Sequence, residues 1–199
     1  MKKSISVVIP NYNGLDLLKK NLPSVISALG CAVLDYEIII PDDASNDDSI
    51  LFLRQEYPKI KIIESQVNGG FSKNINKGIR LASKDLVLAL NSDVSLEKDY
   101  FLHQLQYFDD PDVFGVMGTI KDPTTKQIIV GAKRARQSFF GEIDATKNVV
   151  SEPLESIATF YLSGANALID SSKLKSIGMF NEIYSPFYKE DTDLSLQAW

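Results

Sequence analysis

Leu86-Val87-Leu88-Ala89-Leu90-Asn91-Ser92-Asp93 is an unbroken apolar run that stops at three polar residues. A run this short and uniform fits a strand buried on both faces, as in a parallel sheet. The same figure recurs upstream. Ile5 to Ile9 leads into Pro10-Asn11-Tyr12-Asn13-Gly14, and Glu37 to Ile40 into Asp42-Asp43-Ala44-Ser45. Ile60 to Ile63 leads, after a short gap, into Asn68-Gly69-Gly70-Phe71. Helical patterns lie between them. Leu15, Leu18, Leu22, Val25, Ile26 and Leu29 share a helical face, and Pro23 predicts a kink or a late start. Ser45 and Asp48 resemble a capping box opening a helix through Tyr57. Phe71, Ile75, Ile79 and Ala82 mark a third helix, and Phe101, Leu105 and Phe108 the next. Val113 to Met117 reads as a further strand. This alternation predicts an α/β fold, a Rossmann-like, mostly parallel sheet flanked by helices.

The second half is less regular. Thr124 to Glu155 reads as loops with short strands, Ile128 to Val130 among them. Ala165 to Ile169 reads as a strand, and Ser171 to Ile177 as a short helix ended by Gly178. The helix opened around Asp191-Thr192-Asp193-Leu194 has no stop signal before Trp199, so we expect the natural protein to continue.

Composition narrows the function. The 199 residues suffice for one domain with a sizeable core. The net charge of −5 offers no basic stripe for nucleic acid. A single cysteine, Cys31, excludes an internal disulfide. The apolar run near the start is too short for a signal peptide or a membrane span. A cytoplasmic location is expected, and peripheral attachment at the inner face of a membrane is compatible with it. His103 reads as a surface or packing residue, and Cys31 as a packing residue. Lys133, Arg134 and Arg136 form a small basic cluster.

Asn, Asp and Gly after a strand are ordinary turn residues. Four such clusters in order, two of them acidic, ask for more. In an open α/β sheet these loops gather along the carboxyl edge, where ligands bind. A ligand there could stack on Tyr12, hydrogen-bond to an Asp carboxylate and meet a metal held by Asp93. Base, phosphates and metal together describe a nucleotide site.

The ordered set resembles family 2 of the glycosyltransferases. Val7 to Gly14, Asp42 to Asp47, Asn68-Gly69-Gly70-Phe71 with Asn76-Lys77-Gly78, and Asn91-Ser92-Asp93 carry the first part of the likeness. Ser163-Gly164-Ala165-Asn166, Gly178 to Glu182 and Glu190-Asp191-Thr192-Asp193-Leu194 continue it. Within the family, the motifs are most similar to those of bacterial rhamnosyltransferase-like, polysaccharide-assembly enzymes. The resemblance implies a GT-A fold in a single catalytic domain, with a nucleotide-sugar half over residues 1–120 and an acceptor half over 121–199. It implies an inverting, hexosyl-type transferase.

By the same resemblance, Tyr12 packs on the nucleobase, and Asp43, with Asp42, accepts a hydrogen bond from it. A carboxylate only accepts, which suits the imide N–H of uracil or thymine and hence a UDP- or dTDP-sugar. Pro10, Asn13, Gly70, Phe71, Lys73, Asn76, Asn91 and Ser92 complete the implied nucleotide site. Asp93 stands last in the family's Asp-x-Asp motif and implies Mg²⁺ or Mn²⁺, although Asn91 replaces the first acid. Asp191 matches the catalytic base. Gly164, Ala165, Asn166 and Glu190 fall on the acceptor side, facing a glycan or lipid-linked acceptor. The family often carries Arg where Gln197 stands. Two alternatives remain open: a nucleotidyltransferase, which would open with a Gly-rich loop unlike Asn11-Tyr12-Asn13-Gly14, and a catalytically degenerate nucleotide-binding domain.

Overall fold

The computed structural model describes residues 3–137, 143–145, 158–186 and 188–199. Strand β1 (Ile5–Val8), helix α1 (Leu15–Cys31), β2 (Tyr36–Asp42), α2 (Ser49–Glu56), β3 (Lys61–Glu64), α3 (Phe71–Leu81) and β4 (Leu86–Leu90) follow in order. Then come β5 (Gly115–Met117), β6 (Ile120–Lys121), β7 (Ile128–Val130), β8 (Ala135–Gln137), β9 (Ile143–Ala145) and β10 (Asn166–Asp170). Helices α4 (Ser171–Ser176) and α5 (Glu190–Ala198) close the chain.

The main sheet runs β3-β2-β1-β4-β10-β5. The pairs β3–β2, β2–β1 and β1–β4 are parallel, whereas β10 runs antiparallel to both β4 and β5. Residues of the second half therefore complete the sheet begun by the first.

Side chains alternate across the central strands, so each strand feeds two cores. Ile5, Val7, Ile38, Ile40, Leu86, Leu88 and Leu90 pack with Leu18, Leu22, Val25 and Leu29 of α1. Val8, Ile39, Val87 and Ala89 pack with Ile75 and Ile79 of α3 on the other face. This double coverage is why β1 and β4 are apolar at nearly every position. Gly78 lets α3 lie close on the sheet, since a Cβ there would meet Val8 Cγ1 at 2.4 Å.

Three local expectations change. Helix α1 starts at Leu15 and runs on through Pro23. Pro23 is exposed, so the Lys19 carbonyl that it leaves unbonded can turn to water. Ser45 caps no helix. Asp48 precedes α2 without a side-chain cap bond, and the Ser45 hydroxyl donates to Asp42 instead, at 2.6 Å. The helix expected around Phe101 is reduced to turns and a 3₁₀ segment, Leu105–Asp109, with Phe101 and Phe108 still buried. Of the region Thr124 to Glu155, residues 138–142 and 146–155 lie outside those described.

Candidate active site

The first two loops are locked together at the carboxyl edge. Backbone pairing continues past β1, with Asn11 N donating to Pro41 O and Asp43 N to Asn11 O, both at 2.9 Å. Asn11 is buried, and its Nδ2 donates to Asp42 Oδ2 at 2.7 Å. Asp42 also accepts from Ser45 N at 2.9 Å. Asn13 N donates to Ser45 Oγ at 2.8 Å, and Asn13 Oδ1 accepts from Asn46 N at 2.7 Å. A Cβ on Gly14 would fall 2.3 Å from Asn11 Oδ1, so the turn admits no side chain there. The network consumes Asp42 and Asn13 and leaves Tyr12 standing 53% exposed at the loop tip, beside half-buried Pro10.

Asp43 is also engaged. Its carboxylate accepts from Gly69 N at 3.0 Å and Gly70 N at 2.8 Å, with Lys77 Nζ 3.8 Å away. Gly70 has φ +84°, and a Cβ there would meet Pro186 Cα at 2.8 Å. Phe71 N donates to Pro186 O at 3.1 Å, and the Phe71 ring meets Phe180 edge-on. Lys73 is exposed on the first turn of α3. Asn76 is not brought to this edge. It is buried, exchanging hydrogen bonds with Phe180 N and O and donating to Glu182.

After β4, Asn91 N donates to Ala165 O at 3.0 Å, and Asn21 Nδ2 donates to Ser92 O at 2.9 Å. Asp93 is exposed. Among the described residues no group of three or more His, Cys, Asp or Glu side chains could hold a metal alone. One accessible carboxylate beside an amide nonetheless fits Mg²⁺ or Mn²⁺ arriving with a diphosphate, because such ions use one or two carboxylates plus substrate phosphates.

Asp191 sits in the first turn of α5, just past Lys189, which takes a left-handed conformation with φ +84°. Its Oδ1 accepts from Thr192 N at 2.8 Å, and its Oδ2 accepts from the Tyr161 hydroxyl. Burial pushes the Tyr161 hydroxyl's pKa well up, and Asp191 raises it further, so the phenol stays a donor. Glu190 is buried, with one carboxylate oxygen lacking a partner among the described residues. Burial raises its pKa, and the Asp191 charge adds to that. Asp193 turns away, accepting from Tyr184 at 3.3 Å and from Gln197 at 2.6 Å.

The stretch from Tyr161 to Ala165 joins the two regions. Its first residue binds Asp191, and its last binds Asn91. Four chain steps span at most about 14 Å. Gly164 lies against Phe71, where a Cβ would be 3.4 Å from the ring, and Asn166 Nδ2 donates to Gly118 O at 2.7 Å. Sequence reasoning quoted Lys77 within a motif without giving it a role, and it missed Tyr161. Lys77 lies one helical turn beyond Lys73, and its role could have been found by that spacing. Nothing local marks Tyr161, whose partner is 30 residues away. An open cleft of about 370 Å³ is lined by Arg80, Glu182 and Gln197, and of the expected site residues only by Asn76.

Residues 6–178 match the family model described as glycosyl transferase family 2. The chain is 27% identical over 202 residues to the poly(ribitol-phosphate) beta-glucosyltransferase of Bacillus spizizenii, covering 98% of this chain and 29% of that protein. Its fold matches that of GalNAc-T7 with UDP, GalNAc and Mn²⁺, at a TM-score of 0.75 and 15% identity, covering 99% of this chain and 40% of that one. It also matches S. aureus TarS 1-349 in complex with UDP-GlcNAc, at 0.71 and 20% identity, covering 98% and 53%. The fold is therefore of the GT-A type, and the chain spans only part of the length of each of these proteins. No described helix is long and apolar enough to cross a membrane.

Proposed function

Because this chain belongs to glycosyl transferase family 2, we propose that it transfers a sugar, with inversion, from a UDP- or dTDP-sugar to a glycan or lipid-linked acceptor, with Asp191 as general base. One observation carries the proposal: the stretch from Tyr161 to Ala165 ties the Asp191 carboxylate to the loop of Asn91 and Asp93. The neighbour that binds UDP-GlcNAc and the relative that glucosylates a poly(ribitol-phosphate) support the donor and a polymeric, cell-envelope acceptor.

In this reading Tyr12 stacks on the base and Asp43 accepts its imide N–H with a remaining lone pair. Asp93 and Asn91 would hold Mg²⁺ or Mn²⁺, which neutralises charge on the diphosphate leaving group when bound. The acceptor oxygen attacks the anomeric carbon from the face opposite the diphosphate. The new C–O bond forms as the C–O bond to phosphate breaks, and the nucleoside diphosphate leaves with that electron pair. The acceptor's proton passes to the Asp191 carboxylate.

The test is Asp191→Asn in the full-length protein, with UDP release from UDP-N-acetylglucosamine and UDP-glucose measured beside UDP affinity. Turnover should fall by roughly 10²-fold or more, the scale of losing a general base, with UDP affinity unchanged. Undiminished turnover would remove Asp191 from the chemistry. Lost UDP binding would move it into the nucleotide site.

A further inference from the structure

A side chain on the first turn of a helix can swing between rotamers, and a general base that swings is poorly placed to take a proton. The Asp191 carboxylate is held at both oxygens, Oδ1 by Thr192 N at 2.8 Å and Oδ2 by the Tyr161 hydroxyl. A carboxylate accepts about four hydrogen bonds, so each oxygen keeps a lone pair for an acceptor hydroxyl.

Tyr161 is itself clamped on both sides. Phe160 N donates to Lys133 O at 2.8 Å, and Lys133 N donates to Thr159 Oγ1 at 3.0 Å. Tyr161 N donates to the same Thr159 Oγ1 at 3.2 Å. The Lys133 ammonium lies 4.1 Å from the centre of the Tyr161 ring, a cation–π contact that fixes the ring plane. On the other side Leu162 N donates to Ser195 Oγ at 2.9 Å, and that hydroxyl donates to Asp191 O at 2.6 Å. The phenol and the helix turn bearing Asp191 thus share one rigid frame.

We propose that Tyr161, backed by Lys133, is the positioning residue that aims the Asp191 carboxylate at the acceptor hydroxyl. The inference rests on the reading of Asp191 as the base. In this role Tyr161 acts through Asp191, to which its hydroxyl donates.

A positioning role and a merely structural one part company in a double-mutant cycle. The assay uses the full-length protein with UDP-glucose or UDP-N-acetylglucosamine and Mn²⁺, reading UDP release with water as acceptor. Tyr161→Phe keeps the ring and its contact with Lys133 and removes only the donor. It should lower kcat about tenfold and leave the KM for donor and the thermal midpoint unchanged. Added to Asp191→Asn, it should cause no further loss. Wild-type kcat in Tyr161→Phe would overturn the proposal, and so would an equal loss in both backgrounds. Full activity in Asp191→Asn alone would instead remove the base reading beneath it.

Discussion

At the amino edge of the parallel strands the carboxylates have their hydrogen bonds filled from within the chain. Glu37 accepts from Ser6 Oγ at 2.6 Å, Ser83 N at 2.7 Å and Lys61 Nζ at 2.6 Å, and Asp85 accepts from Ser4 N and Oγ at 2.8 Å. At the carboxyl edge the atoms left without a partner belong mostly to amides and hydroxyls, with Glu190 the one carboxylate among them. Of seven buried side-chain atoms without a partner among the described residues, six flank it: on Asn11, Ser72, Asn74, Asn166, Ser185 and Glu190. A buried polar atom that stays unpaired costs about 1–3 kcal/mol. One edge has its carboxylates paired from within the chain, whereas the other gathers buried polar atoms that have no partner among the described residues.

The largest effect should come from the amino edge. Burial raises the Glu37 carboxyl, but hydrogen bonds from Lys61, Ser6 and Ser83 outweigh it and hold its pKa at about 2, against 4.5 in the unfolded chain. A depressed folded value stabilises above pH 4.5 and is lost as pH falls toward 2. Glu37→Gln should therefore cost up to about 3 kcal/mol at pH 7, read by urea unfolding. The gap to wild type should shrink below pH 4.5, with UDP affinity unaltered. A UDP defect in this variant would break the contrast between the edges.

Gly70→Ala should come next. Its backbone has no room before Pro186, so the junction of the Asp43 loop with the lead into α5 must open. UDP affinity should drop about tenfold and stability by about 1–3 kcal/mol. Unchanged calorimetry would show that this junction does not shape the nucleotide site.

Asp93→Ala should have the smallest effect on the fold. The residue is exposed, so stability should stay within about 0.5 kcal/mol of wild type. The gain in UDP affinity on adding Mn²⁺ should vanish. A surviving Mn²⁺ effect would assign the ion to other donors.

The frame of the fold was legible because it is local. The apolar runs of β1, β2 and β4 and the helical faces of α1 and α3 announce themselves within a few residues. Direction was not legible for β10, since an apolar run does not encode which way it pairs. The Ser45 hydroxyl reads as a helix cap in sequence, yet its oxygen accepts from Asn13 N and Asn11 Nδ2 of the first loop while its proton goes to Asp42. The loops of the site were legible as polar clusters after strands. Their couplings were not: Gly70 to Pro186, Asn91 to Ala165 and Tyr161 to Asp191 cross long stretches of chain.

The carboxyl edge should seat a uridine or thymidine diphosphate with a divalent ion. A thermal-shift series on the full-length protein with UDP, dTDP, GDP and ADP, each with and without Mn²⁺, tests it most directly, because a ligand of the native state raises the midpoint with its occupancy. UDP and dTDP should give the largest shifts, growing when Mn²⁺ is added. Equal shifts for all four nucleotides, or a shift with GDP or ADP alone, would contradict it.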